Sequence, residues 1–273
     1  MRLLSLISQR CHPYVEFVPD WNSKLQFLHG ENLRLRTNSA RILAGFCFHC
    51  KRDTAYDRSM ISCKYYLDVL SQWCYIAEFA LRKVLLLEPT SVEVEYVLVP
   101  IDPGVLPERE EQLRVYRRSR MISGVETKAW ISDGIKPNTW EANAAVLATA
   151  LLRPDIDVRV VRSRIADAAL VRGLPLANPD EASAFVSREF DLDRARLREM
   201  LQSETVRAQL EANLAAFSSA GLTVRPSFVL SNGIGDHIVL GGQYDFGILS
   251  AAIQSLRADE AAYDLFERAQ APV

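Results

Sequence analysis

Ser71 and Cys74 are the residues of this 273-residue chain best placed to do chemistry. They lie in Lys64-Tyr-Tyr-Leu-Asp-Val-Leu-Ser71-Gln72-Trp73-Cys74-Tyr75, where an apolar run meets the opening of a helical pattern. A hydroxyl or thiol at that junction faces the free N–H groups and the positive end of a helix, and both stabilise an anion. A cysteine there would have its pKa lowered and become reactive. The first position holds serine instead, so the pair reads as a redox site that has lost its dithiol. Ser71 also suits a plain helix cap, and Cys74 a small buried apolar side chain; both readings stay open.

Composition narrows the partners. With 49% hydrophobic and 24% charged residues and a net charge of -2, the chain has an ordinary soluble composition. Near-neutral charge gives no reason to expect nucleic acid, and the cluster Arg117, Arg118 and Arg120 suits a solvated helix face. No apolar run spans a bilayer, and the apolar core after Met1 is too short for a secretory signal. A reducing cytoplasm is the expected location. Five cysteines, sparse and odd in number, do not make a secreted disulfide framework.

The elements that must position Ser71 emerge from Lys64 onward. Tyr65 to Leu70 reads as a strand, Trp73 to Leu87 as an amphipathic helix ended by Pro89, and Val92 to Val99 as a second strand. Strand–helix–strand with a helical crossover implies parallel pairing. A helical block rich in Ala, Arg, Leu and Glu follows. It includes a helix from Trp140 to Leu152 behind Asn138-Thr139, one opened by Asp191-Leu192-Asp193, and one from Ser203-Glu204 to Ser219 stopped at Gly221. Strand logic returns in Pro226 to Leu230 and His237 to Leu240, joined through Asn232-Gly233, before a last helix from Phe246 to Leu256. Four segments result: an N-terminal extension, 1–60, expected to be irregular and poorly ordered; a first α/β half, 61–107; a helical insertion, 108–214; and a second half, 215–273. Met60 is expected to lie near the start of the folded protein.

The order of these elements resembles the thioredoxin-like α/β fold of the DsbA-like family, with its helical domain inserted between the two halves. Three motifs carry the likeness, which spans about residues 61–260. Asp68-Val-Leu-Ser71-Gln-Trp-Cys74-Tyr75 is similar to the active-site turn, Ala220-Gly221-Leu-Thr-Val-Arg225-Pro226-Ser227-Phe228-Val229 to the Gly-Val-x-Val-Pro-Thr-Phe-Val segment, and Leu240-Gly-Gly242-Gln243 to the Gly-x-Gln stretch before the last helix. Ser71 replaces the attacking cysteine and Gln72 the common proline. Serine there resembles the 2-hydroxychromene-2-carboxylate isomerases and kappa-class glutathione transferases, whose serine hydroxyl bonds the glutathione thiolate. The resemblance implies glutathione as cofactor, a small electrophilic organic substrate and an isomerase or transferase activity.

It also implies site residues. Ser71 would act on the sulfur, with Cys74 a spectator or secondary thiol. Trp73, Arg225, Pro226, Gly242, Gln243 and Asp245 would hold glutathione, with Pro226 in the cis form, Arg225 offering its backbone to the cysteinyl part, and its guanidinium facing a substrate carboxylate. Asn138 would reach the substrate. Asn138 could equally cap a helix, Gly241-Gly242 serve only the turn, and Arg225 simply face solvent. A thiol–disulfide oxidoreductase working through Cys74 alone, or a non-catalytic binding module, are the alternatives. A homodimer is compatible with kappa-like relatives. No metal is expected: Cys47-Phe-His49-Cys50 lacks a second pair at zinc spacing. One histidine, His237, outside the extension and no Gly-x-Ser-x-Gly elbow disfavour serine hydrolysis.

Overall fold

Alternation of large apolar residues along the first strand sets the sheet's two faces. The computed structural model describes residues 60–88, 91–101, 109–128 and 139–270. The expectations for residues 1–59, including Cys47 and Cys50, therefore lie outside the described residues, as does Asn138. Strand β1 (Ile61–Leu67) pairs in parallel with β2 (Val92–Leu98) and antiparallel with β3 (Ser227–Ser231), which pairs with β4 (His237–Gly241). The sheet order is β2-β1-β3-β4. Helix α1 (Gln72–Leu87) makes the crossover between β1 and β2.

Tyr65 lies at the centre of one face. It is wholly buried, stacks on Phe228 with centroids 4.5 Å apart and meets Tyr96 edge-on at 5.9 Å. All three are cross-strand neighbours in register, so the pairing itself brings the rings together. Its hydroxyl donates to the carbonyl of Cys74 at 2.8 Å, which ties the first turn of α1 to the middle of the sheet. On the opposite face Tyr66 and Val97 pack with Phe217 and Leu222 at the end of helix α7 (Glu204–Ser219).

Between β2 and β3 the chain forms α2 (Arg109–Ser123), α3 (Trp140–Leu152), α4 (Val158–Ala166) with a π-turn over Asp167–Val171, α5 (Pro179–Glu189), α6 (Arg194–Leu201) and α7. Helix α3 is the hub. Ala142, Ala144, Ala145 and Ala148 are buried around its circumference, and such small side chains let neighbouring helices approach closely. Its ends match the sequence expectation, as do the caps Asp193 on α6 and Ser203 on α7. Gly221 closes α7 with a φ of 68°, the left-handed geometry that glycine adopts without steric cost.

Two differences from the sequence reading have clear causes. Strand β1 stops at Leu67 rather than Leu70, because the Ser71 N–H turns back to the Asp68 carbonyl at 3.1 Å. The last helix, α8 (Phe246–Gln270), runs well past Leu256. Its buried residues end at Leu256, but no glycine or proline interrupts the Ala, Arg and Glu that follow, so the helix continues into solvent.

The insertion is fastened to the sheet by polar bonds as well as packing. Asn143 of α3, wholly buried, accepts from Val69 N–H at 3.2 Å and donates to Asp68 Oδ2 at 3.1 Å and to the Thr139 carbonyl at 2.8 Å. A second tie is the buried pair Arg162–Glu78 between α4 and α1, 2.6 Å apart. Asn143→Ala should lower the unfolding free energy by about 2–4 kcal/mol, since Val69 N–H and Asp68 lose a buried partner with no water to replace it. Gln209→Ala, which removes only the exposed bond to Asn213, should change it by less than about 0.5 kcal/mol. Urea midpoints of the two variants check this.

Candidate active site

The site is built where β1 ends, α1 begins and β3 starts, all at one end of the sheet. Ser71 is the N-cap of α1, with extended backbone, and its Oγ accepts from Cys74 N–H at 3.4 Å. That bond uses the oxygen as acceptor and leaves the hydroxyl hydrogen to rotate toward a partner. Ser71 is 9% exposed.

At the same end of the sheet, just before β3, lies the peptide Arg225–Pro226, which is cis. The Pro226 carbonyl accepts from Gly242 N–H at 2.7 Å, so the second half's two expected segments meet directly. Gly242 has a φ of 67°, which explains glycine at that position. Among the described residues, the Arg225 N–H and C=O have no backbone partner. The chain before β3 thus has one short stretch of backbone without a strand partner among the described residues.

Trp73 is half-buried on α1, and its ring lies 5.3 Å from that of Tyr244. This aromatic pair joins the helix start to the Gly242–Gln243 turn, so Trp73, Gly242 and Gln243 share one neighbourhood. Asp245 is exposed and its Oδ1 accepts from Ile248 N–H at 3.1 Å, the geometry of a helix cap.

The Arg225 side chain is half-buried and engaged by the protein's own groups. It donates from Nη2 to the Pro100 carbonyl at 3.1 Å and lies over the Phe217 ring at 4.5 Å. The planar, weakly hydrated guanidinium gains from the ring face what a lysine would not. Its Nε is buried without a hydrogen-bond partner among the described residues.

Sequence reasoning quoted Asp68 within the turn motif without assigning it a role. It is wholly buried, accepts at Oδ1 from Leu70 N–H at 2.8 Å, and at Oδ2 from Ile101 N–H at 3.0 Å and from Asn143. Burial raises its pKa above the ordinary carboxylate value, while bonds from Thr139, Leu70 and Ile101 and the positive charge of Arg225 oppose that rise. The available signal was a lone carboxylate in an otherwise apolar run. Nothing in the sequence pointed to Asn143 or Thr139 as its partners, since both sit in an alanine-rich helical pattern over 70 residues downstream.

Cys74 is 2% exposed, and burial pushes its thiol up to about 12 despite the Ser71 hydroxyl and the Asp68 backbone, which favour the thiolate. The helix N-terminus therefore does not suffice to ionise it. A groove of about 540 Å3 elsewhere in the insertion is lined by Trp140, Glu141, Asp180, Arg198 and Arg207 among others, and by none of the expected site residues. Among the described residues no group of three His, Cys, Asp or Glu side chains could hold a metal, and no helix is long and apolar enough to cross a membrane.

A model of the DSBA-like thioredoxin domain matches residues 63–254. The chain belongs to that family. Among solved structures, the cytosolic disulfide reductase DsbM from Pseudomonas aeruginosa is similar, with 21% identity and a TM-score of 0.55 over 75% of this chain and 99% of that one. The same reductase solved with GSH aligns at 20% identity and a TM-score of 0.53, covering 74% and 98%. A 2-hydroxychromene-2-carboxylate isomerase aligns at 17% identity and a TM-score of 0.52, covering 74% and 98%. No curated protein matches. The DSBA-like chain shares its fold with a reductase and an isomerase, and its site departs from a dithiol by carrying Ser71.

The burial of Cys74 has a measurable consequence. Iodoacetamide should leave Cys74 unmodified in the native protein at mildly alkaline pH and modify it fully in urea. Cys63 is likewise buried and raised to about 12 by burial, from an unfolded-chain value of 9.0. With both thiols protonated in the native state, stability is fully present below pH 9.0 and is lost as pH rises toward about 12, where the unfolded chain holds fewer protons. A pH series of urea midpoints should show this slope, shallower in Cys74→Ala than in the wild type.

Proposed function

We propose that this DSBA-like protein is a glutathione-dependent isomerase or transferase that acts on a small electrophilic organic substrate in the cytoplasm. The observation that carries the reading is the Ser71 hydroxyl at the start of α1, at the same end of the sheet as the Arg225 backbone, which has no backbone partner among the described residues and precedes a cis proline. A helix N-terminus and a free hydroxyl donor favour a bound thiolate as they would a cysteine thiolate. The fit to glutathione rests on this chain's own groups. Ser71 would donate to the sulfur, Arg225 would pair its N–H and C=O with the cysteinyl peptide, and Trp73 with Gly242 and Gln243 would hold the remainder. Asp245 is a weaker member, because its carboxylate already caps α8. When bound, glutathione supplies the nucleophilic sulfur, which adds to an electrophilic carbon and leaves again in an isomerisation, or stays attached in a transfer.

The neighbours support this pairing of parts: a similar reductase has been solved with GSH, and a similar protein is named a 2-hydroxychromene-2-carboxylate isomerase. The alternative, a single-thiol oxidoreductase using Cys74, finds less support. A buried thiol held protonated at neutral pH is a poor nucleophile and out of reach of a protein disulfide.

Titration calorimetry with glutathione tests the reading. The wild type should bind, and Ser71→Ala should weaken binding by roughly tenfold to a hundredfold, the worth of a hydrogen bond to a charged sulfur. No heat of binding to the wild type would sink the proposal.

A further inference from the structure

Asp68 and Arg225 act on one and the same peptide bond. The Ile101 N–H donates to Asp68 Oδ2 at 3.0 Å, and the Pro100 carbonyl, the other end of that peptide unit, accepts from Arg225 Nη2 at 3.1 Å. Asp68 lies three residues before Ser71, and its carbonyl accepts from Ser71 N–H at 3.1 Å. Arg225 immediately precedes the cis proline. A buried carboxylate and a half-buried guanidinium are thus joined through one peptide unit next to the turn that leads into Ser71.

We propose that Asp68 and Arg225 form an opposed charge pair that sets the proton affinity of a sulfur at the Ser71 side chain, Arg225 favouring the thiolate and Asp68 restraining it. Applied to bound glutathione, this rests on the function proposed above; as a property of the position it does not. The chain's own sulfur nearby feels the same two fields. After burial and the local hydrogen bonds, Asp68 raises the proton affinity of Cys74 and Arg225 lowers it.

Other titratable groups near this end of the sheet are accounted for. On α1, Cys74 is protonated, and Tyr75 donates its hydroxyl to Asp167 of the π-turn at 3.0 Å. Further along α1, Glu78 is paired with Arg162 and Arg82. On α3, Glu141 lines the separate groove with Arg198 and Arg207. On the turn before α8, Asp245 is exposed and caps the helix.

The experiment places a sulfur at the position covalently. In a Ser71→Cys, Cys74→Ala background, the alkylation rate of the residue-71 peptide is followed by mass spectrometry across a pH series, so the other cysteines do not interfere. Adding Arg225→Gln should raise the apparent thiol pKa by about one pH unit, roughly tenfold in thiolate on the acid side. Adding Arg225→Lys should leave it within a few tenths of the parent, and adding Asp68→Asn should lower it by about one unit. Opposite signs are the signature, because loss of structure would move both variants the same way. Shifts of the same sign, or no shift in either, overturn the proposal. Should Asp68→Asn fail to fold, equal values for Arg225→Gln and Arg225→Lys overturn it and a gap of about one unit upholds it. The thiolate absorbance of glutathione titrated with Ser71-bearing protein repeats the comparison on the free cofactor. Absence of glutathione binding there sinks the functional reading alone and leaves the covalent measurement to decide this one.

Discussion

A single buried carboxylate organises this end of the molecule. Asp68 has no exposed surface, so each of its oxygens must be satisfied from within the protein, or its burial would cost several kcal/mol. The donors come from three separate parts of the chain: the turn that leads into α1, the exit from β2, and the hub helix of the insertion. Meeting that demand fixes their relative placement. Ser71 is held where it is because the residues on either side of its turn are bonded to a group that cannot move toward water. Asn143 extends the constraint by pairing with Val69 and Asp68 at once, so the insertion docks on the turn rather than merely near it.

That constraint explains how a thioredoxin-like site persists without its first cysteine. In a dithiol site, the disulfide itself would link the helix start to its own first turn. Here the first turn is held by the cap bond from Cys74 N–H to Ser71, by Tyr65 beneath it, and by Asp68 before it. The serine oxygen accepts from the helix and keeps a hydrogen to give. Cys74 contributes volume and apolar surface, consistent with its burial. In the proposed function the sulfur would come from outside the chain, where the same helix terminus could stabilise it.

The fold was largely legible in sequence because its elements obey local rules. Helix α3 was read to the residue, since its alanines, flanking Thr139 and closing Arg153-Pro154 all act within a few positions. The parallel β1–β2 pair followed from the strand–helix–strand order, and the hairpin followed from its turn residues. Thr139 shows the limit. It stands at the cap position, yet its hydroxyl makes no cap bond and instead bonds the Ile101 backbone, because that partner lies within 2.7 Å only in the folded state. The site was legible in part. Ser71, Trp73, Pro226, Gly242 and Gln243 could be named from three short motifs, and the structure brings those motifs to one end of the sheet.

The sequence by itself determined which residues meet the helix dipole and where the chain turns, because both depend on neighbours within about four residues. Tertiary structure alone decided what charges surround that point. Asp68 reads locally as a carboxylate at a strand end, and Arg225 as a cation before a proline; neither says which way its side chain will face. Only when β2 and β3 come to flank β1 does the Pro100–Ile101 peptide stand between them and draw both side chains inward. Electrostatic influence depends on distance through space and on burial, and the linear order of residues encodes neither across 157 positions.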